Sequence, residues 1–288
     1  MKHANPYQSV ANQAVSSTVR RELATLGRHP RKRLGQHFLA DPLVARRIVE
    51  LAGLQASERV VEIGPGLGAL TEFLVQQASE VCLIEVDTDL AGRLRRRYEP
   101  SAHVHVIEAD VLTVDFPALI GPQHPAVVVA NLPYNIAAPV LQRLLAAHGC
   151  FTRMVLMLQR EVVERLRARP GGKEYGALSI FTQFAACVRP GFRVGPAAFV
   201  PRPRVDSEVI IIEPYGQPPV QVADVALFRR LVRTVFNQRR KQLGNSLRAL
   251  CSDPGAVLSA LHMDPTRRPE TLSIEEFAAL SNALIEEQ

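Results

Sequence analysis

Short apolar segments alternate with helical segments along residues 59–169, and this alternation constrains the fold more than any other feature of the sequence. Five apolar segments have the length of buried β-strands: Arg59–Ile63, Val81–Glu85, Val104–Glu108, Ala126–Ala130 and Met154–Leu158. Segments with helical periodicity follow the first, second, fourth and fifth of these strands: Ala69–Gln77, Leu90–Tyr98, Pro139–Ala147 and Glu161–Arg169. Strands that alternate with helices form a parallel sheet covered on both faces. The sequence therefore predicts an α/β, Rossmann-like, doubly wound domain.

A domain boundary is predicted at Pro214–Pro219, where three prolines and a glycine fall within six residues. Before it, Val188–Val194 and Ser207–Glu213 are predicted to form a terminal pair of strands. After it, the apolar residues follow helical spacing, and Ser273-Ile274-Glu275-Glu276 predicts a capping box at the start of the last helix. Nearer the N-terminus, Asp41-Pro42 predicts the cap and first turn of another helix. Residues 1–27 are polar and rich in Ser, Asn and Gln, as flexible extensions are, with a short helix expected near Thr18–Leu26. The prediction is an extension at 1–27, an α/β domain at 28–214 and a smaller all-helical domain at 215–288.

Positive charge is concentrated in two parts of the chain that contain no acidic residue. The first holds Arg28, Arg31, Lys32 and Arg33, and the second, residues 227–248, holds seven more cations. Together they exceed the formal net charge of +6, so the rest of the chain is net acidic. This distribution favours a polyanionic partner such as a nucleic acid, although an acid-free run can also be a solvated face.

Several classes of protein are excluded by simple counts. No apolar run reaches the roughly 18 residues that a membrane-spanning helix needs, and no secretory signal is expected. The four cysteines are far apart in sequence and form no CxxC pair. They predict reduced thiols, a cytoplasmic protein and no metal site. No long apolar face suggests a dimer, so a monomer is expected.

A glycine-rich turn, Gly64-Pro65-Gly66-Leu67-Gly68, follows the first predicted strand and precedes a helix. Glycines allow a tight turn and a close approach of the backbone to a ligand. Glu85 ends the next strand, 21 residues after Gly64, where a carboxylate can accept both hydroxyls of a ribose. Asp110 follows the third strand and is placed to meet an adenine amino group. Together these residues predict a site for a nucleoside-containing cofactor.

The residue before this turn, Glu62, discriminates between two such cofactors. A carboxylate beside the turn repels the pyrophosphate of NAD. It attracts a ligand that carries a sulfonium and an ammonium group. The sequence therefore favours S-adenosylmethionine over NAD.

The segment Asn131-Leu132-Pro133-Tyr134 follows the fourth strand, at the sheet edge where open α/β folds bind ligands. An adenine amino group is a poor nucleophile because its lone pair is delocalised into the ring. The Asn131 side-chain oxygen and the Leu132 carbonyl can accept its protons, and Pro133 turns that carbonyl inward. Tyr134 offers a flat face on which the base can stack.

The chain resembles the ribosomal RNA adenine N6-dimethyltransferases, in particular the small-subunit enzymes, over about residues 30–250. Besides Asn131–Tyr134, three segments carry the resemblance: the N-terminal motif Arg31–Leu39, the Pro-x-Pro loop Phe199–Ser207 and the C-terminal signature Asn237–Leu247. The resemblance implies S-adenosylmethionine contacts at His37, Leu39, Gly64, Gly66, Glu85, Asp110 and Asn131. It implies that Tyr134 and Phe199 sandwich the target adenine.

The resemblance also implies the substrate. This is a pair of adjacent adenosines in the hairpin loop near the 3′ end of small-subunit 16S rRNA, within an assembling 30S subunit. Each adenosine receives two methyl groups, so four cofactor molecules are used. The predicted RNA contacts are the two basic groups Arg31, Lys32, Arg33 and Arg239, Arg240, Lys241.

Two other functions remain open on the sequence. One is the antibiotic-resistance type of enzyme, which modifies an adenine of the large-subunit rRNA and shares the core motifs. The Pro-x-Pro loop and residues 237–247 favour the small-subunit branch. The other is an RNA-binding ribosome assembly factor in which methylation is secondary, which the basic C-terminal segment favours.

Overall fold

A computed structural model describes residues 18–25, 27, 29–31, 34–121 and 125–285. Nine β-strands are found in this part of the chain: β1 (Phe38–Leu39), β2 (Arg59–Ile63), β3 (Glu80–Glu85), β4 (Val104–Glu108), β5 (Ala126–Asn131), β6 (Phe151–Gln159), β7 (Ala186–Val194), β8 (Phe199–Val200) and β9 (Ser207–Pro214). Residues 18–25 are helical. The further α-helices are Pro42–Ala52, Thr71–Leu74, Thr88–Tyr98, Phe116–Ile120, Ala137–Ala146, Arg160–Leu166, Ala177–Ala185, Val225–Asn237, Leu243–Leu247, Pro254–Ala260 and Ile274–Ala283.

Seven strands form one sheet in the order β4-β3-β2-β5-β6-β9-β7. The pairs from β4 through β6 are parallel, with Val61 opposite both Cys82 and Val128. The chain order reverses between β2 and β5, which is where open α/β sheets bind ligands. The predicted α/β, Rossmann-like class is confirmed. The final strand in the chain, β9, lies beside β6 and runs antiparallel to it.

The sheet is covered on both faces, because Val127, Val128 and Val129 of the central strand β5 are all fully buried. The helix at Pro42–Ala52 begins as its sequence predicts. The Asp41 side chain accepts the amides of Leu43 and Val44, and the helix ends at a left-handed Gly53. The helix predicted at Ala69–Gln77 is shorter, at Thr71–Leu74, because turns occupy the residues on both sides of it.

The chain divides into two compact units. One contains Met1–Val163 and Val188–Pro214, and the other contains Glu164–Cys187 and Tyr215–Gln288. The boundary predicted at residue 214 is one of the points where the chain passes between units. The sequence did not indicate that residues 164–187 group with the C-terminal helices.

The second unit has an aromatic core of its own. Phe184 packs on Phe228, with ring centroids 4.9 Å apart, and Phe236 packs on Phe277 at 5.7 Å. Its last helix opens with the predicted capping box, in which Ser273 and Glu276 each accept the other's backbone amide. Among the helices that the structure describes, none is both long and apolar enough to cross a bilayer.

Candidate active site

A cleft of about 920 Å³, partly open to solvent, lies in the first unit at the carboxyl ends of β2, β3 and β5. Most of the predicted cofactor and base residues line it: His37, Leu39, Glu62, Gly64, Gly66, Glu85, Asp110, Asn131, Leu132, Pro133 and Tyr134. The sheet topology thus gathers residues that are up to about 100 positions apart in sequence.

The glycine turn forms the floor of this cleft. Gly64 and Gly66 have φ values of +65° and +58°, in the left-handed region that favours glycine. A Cβ atom on Gly66 would lie 3.1 Å from the ring of Phe38, closer than ordinary packing allows. The turn therefore depends on glycine at residue 66 for two reasons, its backbone conformation and the adjacent ring.

Glu85 binds the same turn from the end of β3. Its Oε2 accepts the Gly66 amide at 2.9 Å, and its Oε1 accepts the Asp87 amide at the same distance. Burial raises the pKa of Glu85, and these backbone donors partly oppose the shift. Each carboxylate oxygen has a second lone pair, so a fixed Glu85 can still accept hydroxyl donors from a ligand.

The charge predicted for Glu62 requires correction. Its side chain is 1% exposed, and its Oε2 accepts the Thr71 hydroxyl at 2.6 Å. Burial, with a smaller contribution from Glu85, raises the pKa of Glu62 to about 8. At neutral pH this carboxyl is therefore mostly uncharged, which sequence position alone did not indicate.

Asn131, the last residue of β5, is held by a neighbouring segment. Its Nδ2 donates to the main-chain oxygen of His37 at 3.0 Å. The side-chain oxygen is thereby the atom of Asn131 that can accept a proton donor in the cleft. The next residue, Leu132, donates its amide to the Met157 carbonyl at 3.3 Å and buries its side chain, which fixes the turn.

Tyr134 is held through its hydroxyl group and through one face of its ring. Its hydroxyl lies 2.7 Å from Ser207 Oγ, and its ring stacks with that of His37 at a centroid distance of 5.1 Å. His37 Nδ1 in turn donates to the Pro201 carbonyl at 2.8 Å. Ser207 was not predicted as a site residue, although it ends the Pro-x-Pro loop. Its contact with Tyr134 spans 73 residues and depends on the tertiary fold.

Phe199 is the predicted base-stacking residue that the structure does not bring to the cleft. It is 1% exposed and packs in the main core. The reason is strand alternation, because β8 pairs with β1 in antiparallel register, Phe199 opposite Leu39 and Val200 opposite Phe38. Phe199 and Leu39 share the core cluster, while Phe38 and Val200 share a second cluster.

Two aspartates, Asp110 and Asp87, make contacts within the protein that the sequence did not predict. Asp110 is exposed and accepts the Leu112 amide at 2.9 Å, so it caps a turn at the edge of the cleft. Asp87, which was not predicted, is buried and pairs with Arg31 at 2.9 Å. It also accepts the side-chain amide of Gln36 at 3.5 Å. Asp87 therefore ties the N-terminal motif to the end of β3.

The predicted RNA-binding cations differ in how much of their charge is engaged within the protein. Arg31 pairs with Asp87 and Asp89, and Lys32 and Arg33 lie outside the described residues. Arg239 donates to the Lys173 carbonyl at 2.8 Å. Arg240 and Lys241 are exposed. Within the residues that the structure describes, no three His, Cys, Asp or Glu side chains group as metal ligands do.

Comparison with known proteins gives the family directly. Residues 27–286 match the family described as "Ribosomal RNA adenine dimethylase". A relative from Magnetococcus marinus, named "Ribosomal RNA small subunit methyltransferase A", is 45% identical over 257 residues, which are 89% of this chain and 92% of that protein.

Two solved structures share the fold. A dimethyladenosine transferase from Plasmodium falciparum superposes with a TM-score of 0.72 at 25% identity, over 87% of this chain and 98% of the other. The 23S rRNA methyltransferase ErmE gives 0.61 at 25% identity, over 86% and 99%. The chain therefore belongs to the ribosomal RNA adenine dimethylase family and is an S-adenosylmethionine-dependent methyltransferase, as its sequence motifs predicted.

Proposed function

We propose that this enzyme dimethylates N6 of two adjacent adenosines in the 3′-terminal hairpin loop of small-subunit 16S rRNA, during assembly of the 30S subunit. The observation that carries the proposal is the 45% identity to a small-subunit methyltransferase over 89% of the chain. The Pro-x-Pro loop Phe199–Ser207 and the C-terminal signature Asn237–Leu247 also favour the small-subunit substrate over the large-subunit alternative.

The cleft fits S-adenosylmethionine on four features of the described residues. The turn carries no side chains at Gly64 and Gly66, so its backbone can approach a ligand closely. Glu85, fixed by two amides, is placed to accept the ribose hydroxyls. Asp110 stands at the edge of the cleft, where the adenine is proposed to bind. His37 and Leu39 form the wall on the side of the N-terminal motif and are proposed to contact the methionine part.

When bound, the cofactor supplies an electrophilic methyl group. Asn131 Oδ1 and the Leu132 carbonyl are proposed to accept the two N–H donors of the target amine, which directs its lone pair towards that methyl group. After the first transfer, the amine keeps one N–H, so one of these two acceptors suffices for the second transfer. The bond from Asn131 to His37 keeps the acceptor in place for both.

Tyr134 is proposed to stack on the target base, because its ring lies in the cleft and its hydroxyl is held by Ser207. The predicted second face of the sandwich, Phe199, is buried in the core. The base is therefore proposed to depend on Tyr134 for stacking. Such a base must leave its own stack in the RNA before it can enter the cleft.

The second unit is proposed to bind the RNA backbone through Arg240 and Lys241, which are exposed on an acid-free segment. We further propose that the enzyme acts as a monomer in the cytoplasm. The large apolar side chains that are exposed in the described part of the chain are scattered in sequence: Leu43, Val86, Val205, Tyr215, Val225 and Ile285. Single exposed residues of this kind do not form an oligomer interface.

A direct assay tests the proposed function. The protein is incubated with labelled S-adenosylmethionine and either undermethylated small subunits or large subunits, and the product is mapped by mass spectrometry. We expect dimethyladenosine at two adjacent positions near the 3′ end of the small-subunit rRNA. Label that enters only the large-subunit RNA would refute the proposal.

A further inference from the structure

Residues 18–25 form a helix that lies before the segment matched to the family, which starts at residue 27. Two of its residues, Val19 and Leu23, are 9% and 5% exposed. They belong to a small apolar cluster that is separate from the main core and is completed by Phe38, Ala40, Leu67, Leu90 and Val200. The short helix expected near Thr18–Leu26 is therefore present and packs against the rest of the first unit, which a flexible extension would not do.

A charged contact fixes the same helix. The Glu22 carboxylate pairs with Arg93, whose side chain is 16% exposed. Arg93 also donates from Nη1 to the Leu67 carbonyl at 3.0 Å. One arginine thus joins the helix to the residue that follows Gly66 in the glycine turn.

The partners of this helix form part of the cofactor cleft. Phe38 and Leu67 both line the cleft. Phe38 lies against Gly66, at 3.1 Å from the position that a Cβ atom would take there. The Gly66 amide donates to Glu85. Leu23, Phe38 and Leu67 therefore belong to one packed cluster, and that cluster reaches the turn and its carboxylate.

We propose that helix 18–25 is a positioning element for the methyl donor: by packing on Phe38 and Leu67, it holds one wall and the floor of the cleft in their binding conformation. The inference rests on the proposed use of this cleft for S-adenosylmethionine. Without the helix, the apolar sides of Phe38 and Leu67 face water, and both are then free to move away from Gly66. A ligand that needs the ordered form must then supply the ordering free energy itself, which weakens its binding.

The test measures binding of the donor analogue sinefungin by calorimetry, without RNA. The variants are a deletion of residues 1–26, Leu23→Ala and Glu22→Gln, and the exposed-face control on the same helix is Arg20→Ala. We expect the dissociation constant to rise about 5- to 20-fold for the deletion and for Leu23→Ala, and less for Glu22→Gln. Arg20→Ala and the conservative Leu23→Met should bind as the wild type does.

Two further readouts separate positioning from simple stabilisation. In methylation assays, Leu23→Ala should raise KM for S-adenosylmethionine and leave KM for the RNA particle unchanged. By thermodynamic reciprocity, sinefungin should slow hydrogen exchange at the amides of residues 19–25 in the wild type.

The outcomes distinguish this inference from the proposed function. Unchanged sinefungin affinity in the deletion and in Leu23→Ala, with only a lower Tm, would overturn the positioning role alone. A wild-type protein that binds no sinefungin would instead refute the proposed use of the cleft.

Discussion

Asn131 Nδ2 lies 3.0 Å from the main-chain oxygen of His37, so the end of the central strand β5 is tied to the N-terminal motif. This single hydrogen bond orients the amide group and leaves Oδ1 as its acceptor. The proposed chemistry depends on that orientation, because a reversed amide would present a donor to the target amine.

Replacing Asn131 should therefore affect catalysis far more than donor binding. We expect Asn131→Ala to lower kcat about 100- to 1000-fold, by analogy with the loss of one fixed polar group from a transition-state site. Sinefungin affinity, measured by calorimetry, should change much less. Turnover that matches the wild type would show that Asn131 does not hold the reacting amine.

Gly66 offers a test with a matched control in the same chain. Gly66→Ala adds a Cβ at φ +58° and 3.1 Å from Phe38, whereas Gly53→Ala adds one at φ +56° with no atom within 4 Å. Both variants incur a similar backbone cost of about 1–2 kcal/mol. We expect only Gly66→Ala to weaken sinefungin binding, by about tenfold or more. If the two variants bind sinefungin with equal affinity, the clash with Phe38 is relieved in Gly66→Ala.

Ser207 should act through Tyr134. The net value of a typical hydrogen bond is about 0.5–1.5 kcal/mol, so Ser207→Ala should lower kcat/KM for the RNA substrate about 2- to 10-fold. Tyr134→Phe removes the same bond and should give a similar loss. Tyr134→Ala should lose more, because stacking on a base contributes about 1–3 kcal/mol. Identical kinetics for Tyr134→Phe and Tyr134→Ala would argue against stacking.

Glu62 should make the stability of the protein depend on pH. Its pKa rises from 4.5 to about 8 on folding, so the folded state holds a proton that the unfolded state releases between these values. Glu62 therefore stabilises the fold most below pH 4.5, and this contribution is lost as pH rises towards 8. Its share of the slope is at most about 1.4 kcal/mol per pH unit.

The measurement is urea unfolding at about pH 5.5 and about pH 8, on either side of most of this titration, in the wild type and in Glu62→Gln. Glutamine can still accept the Thr71 hydroxyl but cannot ionise. We expect the free energy of unfolding of the wild type to fall relative to that of Glu62→Gln as pH increases. A constant difference between the two proteins would mean that Glu62 is already ionised at the lower pH.

The basic segment of the second unit should control the salt dependence of RNA binding. Replacing Arg240 and Lys241 by Ala should reduce the slope of log K against log salt by about 0.7–0.9 for each phosphate that these side chains no longer neutralise. Arg239→Ala should have a smaller effect, because Arg239 is engaged with the Lys173 carbonyl. Filter binding over a range of salt concentrations measures these slopes. A slope that stays at the wild-type value in the double variant would show that neither cation meets the RNA backbone.

Local patterns in the sequence predicted the elements that depend on local chemistry. The strands Arg59–Ile63 and Val104–Glu108 have the predicted bounds, because short β-branched runs between turns favour a buried strand. The Asp41 cap and the Ser273 capping box also formed as predicted, since each needs only residues within one helical turn.

Long-range packing decided the features that the sequence left open or misplaced. The burial of Phe199 follows from its pairing with Leu39, which is distant in the chain. Glu62 is mostly uncharged because the surrounding structure buries it. Arg31 pairs with Asp87 because the tertiary fold brings these two distant residues together. The sequence by itself determined the order of strands and helices, the glycine turn and the polar residues at the strand ends. Only the tertiary structure decided which side chains face the cleft and which are charged, because burial and hydrogen-bond partners depend on residues that are far apart in sequence.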